Sequence, residues 1–249
     1  MIDLHSHLLP GLDDGARNLD EALAMARSMV EDGVRVVAAT PHVHPRFRTP
    51  VEEMERALGE LRAALAEAEI PLDVLPGGEI ALDELPGLPE GERVRFGLGG
   101  NPQLLLLELP LHGWPLDLEN TVRCLGQEGI RSVLAHPERN PEVQERPERL
   151  QRLVELGAVP QLTAAAVDGR MGKRQARCCA ELLQRGLAMV VASDAHAPEV
   201  RGAGLSAARQ AVGDEALGRW LTEEVPAALL AGAALPPRPL QRRRRLFGR

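Results

Sequence analysis

The sequence predicts an α/β fold built on parallel strands, and three observations lead there. Seven short runs rich in Val, Ile or Leu alternate with stretches of helical periodicity. Most of these runs are too continuously apolar to be half-exposed strands, as parallel strands covered on both faces should be. Glycines recur where a helix must end before the next strand: Gly33, Gly129, Gly157 and Gly186. A length of 249 residues suits one domain with a sizeable core.

The strands are expected at 1–5, 34–39, 71–76, 104–109, 131–135, 158–163 and 187–193. Helices are expected between them at 18–32, 50–68, 117–128, 147–156 and 173–185, with one more at 199–212 after the last strand. The second helix opens on Pro50 and repeats Met54, Leu58, Leu61 and Leu65 at helical spacing. Segment 77–103 is long, rich in Gly and Pro and without a strong pattern, so it reads as an excursion after the third strand. Two architectures fit the alternation, a closed barrel and an open doubly wound sheet. No G-x-G-x-x-G opens a helix after a strand, so a dinucleotide fold lacks its fingerprint.

Charge is unevenly placed. Six of the 29 basic residues and none of the 36 acidic ones fall in residues 236–249, which leaves a body with 23 basic against 36 acidic residues. Residues 1–235 are therefore read as the domain and 236–249 as a basic, Pro- and Arg-rich tail. An acidic body with no tyrosine, two Trp and three Phe argues against nucleic-acid binding. Membrane contact is expected only through the tail. No apolar run reaches the roughly 18 residues of a membrane span, and no basic segment followed by an apolar stretch opens the chain. Three cysteines, two of them adjacent, make no disulfide framework, so a cytoplasmic setting is expected.

Five of the seven histidines (His5, His7, His42, His136 and His196) stand at or just past the expected C-terminal ends of strands. Glu79, Glu108 and Asp194 join them, while the sixth strand ends on Thr163. In parallel α/β folds these ends form the functional face. In His5-Ser6-His7 and Asp194-Ala195-His196, residues two apart on an extended chain point to the same side. Eight such groups on one rim would repel or stay unpaired without cations, and they exceed the needs of one ion. Imidazole and carboxylate without thiolate suit Mn²⁺, Fe²⁺ or Zn²⁺, and two or three ions sharing a carboxylate are expected. Arg139 and Arg201 fall in loops on the same rim, where guanidinium forks match phosphate oxygens. Cys179 to Arg185 satisfies the C-x₅-R pattern of cysteine-based tyrosine phosphatases, but it has no glycine and reads as helix, not as a phosphate-cradling loop.

The stretches M-I-D-L-H-S-H-L-L-P-G-L-D-D-G, A-T-P-H, P-G-G-E-I, L-L-E-L-P, A-H-P-E-R-N and S-D-A-H together resemble the polymerase-and-histidinol-phosphatase (PHP) superfamily. Within it the chain is most similar to the manganese-dependent protein-tyrosine phosphatases of bacterial capsule and exopolysaccharide loci. The resemblance runs from residue 1 to about 204. It implies a distorted (β/α)₇ barrel and a phosphomonoester hydrolase that uses three divalent ions, Mn²⁺ first and Fe or Zn as alternatives. It implies one ion held by His5, His7, Glu108 and Asp194, a second by Glu108, Glu79 and His136, and a third by His42, His196 and one aspartate of the Asp13-Asp14 pair, Asp14 in preference to Asp13. Arg139 and Arg201 match its phosphate contacts, and His42 or His196 is a candidate proton donor. The implied substrate is a phosphotyrosine protein, a bacterial tyrosine kinase of polysaccharide export. Alternatives are a phosphatase for a small alkyl phosphate such as histidinol phosphate, and a non-catalytic metal-binding regulator. An amidohydrolase fits less well, because Glu108 stands where those with two metals often carry a carboxylated lysine, and the single lysine, Lys173, lies after the sixth strand. Two departures stand out: His42-Val43-His44 replaces consecutive histidines, and Ala164-Ala165-Ala166 follows Thr163 in place of a Gly-Ser pair.

Overall fold

The computed structural model describes residues 1–196 and 202–240. Its strands are β1 (Ile2–Ser6), β2 (Val36–Ala39), β3 (His42–His44), β4 (Phe47–Arg48), β5 (Asp73–Leu75), β6 (Glu79–Ala81), β7 (Leu104–Glu108), β8 (Arg131–Ala135), β9 (Val159–Thr163) and β10 (Val190–Ala192). One sheet runs β1-β2-β5 and the other β10-β9-β8-β7-β6-β3-β4, all parallel except the β3–β4 hairpin. These strands form seven staves, because β2 continues into β3 and β5 into β6 after a break. At Pro41 the ladder loses a donor, since proline has no N–H. At Pro76-Gly77-Gly78 the chain passes close to its neighbours: a Cβ on Gly78 would stand 2.7 Å from the Phe96 ring. Below the breaks β2 pairs with β1 and β5; above them β3 pairs with β6. The remaining seam is closed by the Asp194 N–H donating to the His5 carbonyl and the His7 N–H donating to the Ala195 carbonyl, both at 2.8 Å. The barrel, and not the open sheet, is the architecture.

The outer layer comprises α1 (Leu19–Glu31), α2 (Val51–Glu67), α3 (Glu90–Arg95), α4 (Leu118–Gln127), α5 (Pro141–Glu145), α6 (Glu148–Glu155), α7 (Ala164–Val167), α8 (Lys173–Arg185), α9 (Leu205–Val212), α10 (Glu215–Arg219) and α11 (Val225–Leu230), with a π-helical turn at Trp220–Glu224 before the last. Helix α2 starts after Pro50 and buries Met54, Leu58, Leu61 and Leu65, as its spacing predicts. The four glycines expected at helix ends all have positive φ. Leu104 to Leu107 are buried throughout, as a strand covered on both faces requires. Each such leucine contributes roughly 1.5–3 kcal/mol by burial. No described helix is long and apolar enough to cross a membrane.

Segment 77–103 is not a featureless excursion: it begins with strand β6 and includes α3. Three residues give too little periodicity to be seen in the sequence. The helix expected at 199–212 begins later, at Leu205, after Gly204 with its left-handed backbone; residues 199–201 of the expected helix lie outside the described residues.

Candidate metal centre

The C-terminal rim gathers its polar side chains from six of the seven staves. His5 sits within β1 and His7 just beyond it. The breaks at Pro41 and Pro76–Gly78 restart two staves on His42 and Glu79, which are register partners across β3 and β6. Glu108 ends β7. His136 follows β8 and Asp194 follows β10, both with left-handed backbones, φ 34° and 50°. Such conformations are uncommon for non-glycine residues and here turn the side chains across the barrel mouth.

Four overlapping groups have ligand atoms within 4.8 Å of one another: His5, His7 and Asp194; His5, Glu79 and His136; His42, Glu79 and Glu108; and His7, Asp14, His42 and His196. All nine expected ligands are in this set. The distances among the protein groups themselves single out Glu79. Glu79, not Glu108, is central: its Oε2 lies 3.3 Å from His5 Nε2, 3.4 Å from His7 Nε2 and 2.9 Å from His42 Nδ1, while its Oε1 lies 2.7 Å from His136 Nε2. Glu108 reaches His42 and His136 only at 3.9 Å. The reason is geometric: Glu79 opens a strand inside the mouth and is wholly buried, whereas Glu108 closes a strand at the rim.

Several imidazoles are held in one tautomer by groups behind them. His5 Nδ1 donates to Gln161 Oε1 at 2.9 Å, and the Gln161 amide is oriented by donating from Nε2 to the Leu162 carbonyl. His7 Nδ1 donates to Asp13 Oδ2 at 2.7 Å, and His196 Nδ1 donates to the Asp194 carbonyl at 3.0 Å. In the neutral ring each Nε2 is thereby the lone pair that faces the cluster, and the Nε2 atoms of His5 and His7 stand 3.3 Å apart. Two such lone pairs directed at one another fit a cation between their neighbours, with the backing groups that metal-ligating histidines require. Asp13 also accepts from the His42 and Gly15 N–H groups, which fixes it as support, whereas Asp14 lies 3.3 Å from His196 Nε2 and 3.5 Å from His42 Nε2. A Cβ on Gly15 would run into the His7 backbone, so the D-D-G turn demands glycine.

The electrostatics are those of a crowded site. Burial opposes the charge on His7, but Asp13 and Glu79 outweigh it and raise its pKa to about 10. Burial and the adjacent Glu79 charge push Glu108 up to about 7. Burial and then Arg139 push His136 down to about 3. The Arg139 guanidinium contacts the Asp194 carboxylate and donates to Thr163 Oγ1 at 3.2 Å, so it lies over the same mouth. Arg201 lies outside the described residues. His44 accepts from the Arg46 N–H at 3.1 Å in the β3–β4 turn and joins none of the ligand groups.

Sequence reasoning did not assign Gln161, whose signal is a lone amide inside an apolar strand, or Glu138, which is buried and accepts from the Thr163 N–H at 3.0 Å. The C-x₅-R stretch lies within α8 as expected: Cys178 and Cys179 are buried and Arg185 pairs with Glu181. Burial pushes the Cys178 thiol up to about 12 and raises Cys179 too, the reverse of what a nucleophilic thiolate needs.

Residues 1–225 match the family of capsular polysaccharide synthesis, CpsB/CapC. The chain is 34% identical over 259 residues to tyrosine-protein phosphatase YwqE of Bacillus subtilis, covering 100% of this chain and 99% of that protein. It is 28% identical over 204 residues to tyrosine-protein phosphatase CpsB of Streptococcus pneumoniae, covering 79% and 83%. A solved structure from work on YwqE and CpsB, called there unique metal-dependent tyrosine phosphatases, superimposes with a TM-score of 0.86 at 32% identity over 97% of this chain and 100% of its own. This chain belongs to the CpsB/CapC family of capsular polysaccharide synthesis.

Proposed function

We propose that this chain is a metal-dependent protein-tyrosine phosphatase acting in capsular polysaccharide synthesis, with a phosphotyrosine-bearing bacterial tyrosine kinase as its partner. The observation that carries the reading is the convergence of His5, His7 and His196, each with its Nδ1 proton tied to a fixed acceptor, on Glu79, Asp194 and Asp14. His5, His7 and Asp194 would hold one ion, Glu79, His136 and Glu108 a second, and His42, His196 and Asp14 a third, with Glu79 shared. Imidazole and carboxylate donors without thiolate suit Mn²⁺, and Fe²⁺ or Zn²⁺ by the same chemistry. Divalent cations bound there acidify water toward neutral pH and offset phosphoryl charge.

The protein's own groups do the rest. The Arg139 guanidinium, steadied by Thr163 and Asp194, offers a fork to phosphoryl oxygens and offsets charge as the bond to phosphorus breaks. Arg201 is the second phosphate contact in this proposal. Gln161 and Asp13 orient His5 and His7, so the ligand lone pairs need no reorganisation when substrate enters. His196 keeps its Nδ1 proton on the Asp194 carbonyl, and His42 lies between Glu79 and Asp14. Both imidazoles thus bear on the phosphoryl site chiefly as ligands. A phenolate leaving group needs less protonation than an alkoxide, which fits an aryl phosphate ester.

We read residues 1–235 as the catalytic body and 236–249 as a basic tail. The start of that tail is fastened down: the Pro236 carbonyl accepts from Trp220 Nε1 at 3.0 Å, and Arg238 Nη2 donates to the Leu183 carbonyl at 2.6 Å.

The test is elemental analysis of purified protein beside turnover of a phosphotyrosine peptide and of histidinol phosphate. Chelation should abolish turnover and Mn²⁺ should restore it, with the peptide preferred. Full turnover after metal removal refutes the metal reading, and preference for histidinol phosphate refutes the substrate reading.

A further inference from the structure

The chain is poor in aromatic residues, with three Phe, two Trp and no Tyr. Phe96 is buried against Gly78 and so offers substrate no surface. Trp114 packs with Arg149, and Trp220 with Arg238. Among the described residues, Phe47 is the Phe or Trp that touches the ligand cluster. It stands on β4, opposite His44 in the hairpin that caps the open edge of the seven-stranded sheet. Its ring lies 5.7 Å from that of His42, with the planes only 11° apart. The Arg46 guanidinium sits 5.1 Å from its centroid. The turn is tightened by the Arg46 N–H donating to His44 Nδ1. Phe47 remains partly exposed, while His42 beside it is a member of two ligand groups.

We propose that Phe47 is the specificity-determining residue that receives the aryl ring of the substrate, making the site prefer aryl over alkyl phosphate esters; this rests on the phosphatase reading above. In this proposal the ester group of a phosphate seated at the ligand cluster leaves past His42, where the partly exposed Phe47 ring stacks on that imidazole. An aryl ring gains there an offset or edge-on aromatic contact and loses apolar area to water, whereas a short alkyl group gains little. Arg46 restrains the Phe47 ring, so little side-chain freedom is lost when substrate binds.

The experiment measures calorimetric binding of two non-hydrolysable probes, phenylphosphonate and methylphosphonate, to Mn²⁺-loaded protein. Wild type should bind phenylphosphonate more tightly. Phe47→Leu should weaken phenylphosphonate about three- to tenfold, the range of one aromatic contact, and leave methylphosphonate within about twofold. Phe47→Tyr should keep the wild-type preference, and bound metal should stay the same in all three proteins. Equal weakening of both probes, or loss of metal, would make Phe47 a support for His42 and overturn the inference. No change in either probe would overturn it too. Failure of wild type to bind either phosphonate would instead count against the phosphatase reading itself.

Discussion

The barrel has an uninterrupted side and a broken side. Staves β7, β8 and β9 run five residues each without a break; the middles of β7 and β8 are apolar apart from Ser132, and β9 carries Gln161 among its buried residues. The staves that contain β2–β3 and β5–β6 are each cut in two by proline. The uninterrupted side supplies stability, and most of its polar groups lie at strand ends. The broken side restarts its strands inside the mouth, so His42 and Glu79 enter as register partners where a continuous strand would carry apolar side chains. The break at Pro76-Gly77-Gly78 thus gives the site its central carboxylate.

This contrast orders the expected effects of substitution. Glu79→Gln, on the broken side, should be most severe. It removes the negative charge shared among His5, His7, His42 and His136, and kcat/KM should fall by roughly a thousandfold with loss of bound metal, above the ten- to hundredfold typical of groups that act through a ligand. Glu108→Gln, at the end of an unbroken stave, should cost about ten- to hundredfold. Equal losses in the two variants would dissolve the distinction between centre and rim. Gln161→Leu removes the acceptor behind His5 and should lower metal affinity about tenfold with the fold retained, read by metal titration.

Smaller effects probe the breaks and the surroundings. Gly78→Ala forces Phe96 to move and should lower stability by about 1–3 kcal/mol in denaturant unfolding. The same change at the exposed Gly59 of α2, where a Cβ meets nothing, should be neutral or stabilising by up to about 1 kcal/mol. Cys179→Ala should leave kcat/KM within about twofold, since the thiol is buried in a helix. A raised thiol pKa means the neutral form holds below it. At pH 8 the Cys178 thiolate, with its pKa pushed up to about 12, is about one part in ten thousand. Iodoacetamide at that pH should therefore label the exposed Cys124 alone among the three cysteines, as peptide mapping would show.

The same contrast explains what the residues disclosed in advance. The long apolar staves and their glycine-ended helices were legible because burial on both faces writes a continuous signal. His5, His7, Glu108, His136, Asp194 and His196 were legible as candidates because each stands at or just past the C-terminal end of a stave. Strand β6 was not: three residues after Pro76-Gly77-Gly78 carry no period, and its pairing with β3 is set by closure of the barrel. For that reason the centrality of Glu79 needed coordinates, although its membership of the site did not. Gln161 was hidden for a different reason. A single amide in a strand looks like an ordinary buried polar residue until the imidazole it supports is placed beside it.

The most direct measurement is an anomalous-scattering map of crystals grown with Mn²⁺ and collected above and below the manganese edge. Peaks are expected among His5, His7 and Asp194, beside His136 and Glu79, and among His42, His196 and Asp14, with Glu79 touching more than one. A map without peaks in the barrel mouth, or with ions bound only elsewhere, would show that these side chains gather for some reason other than holding cations.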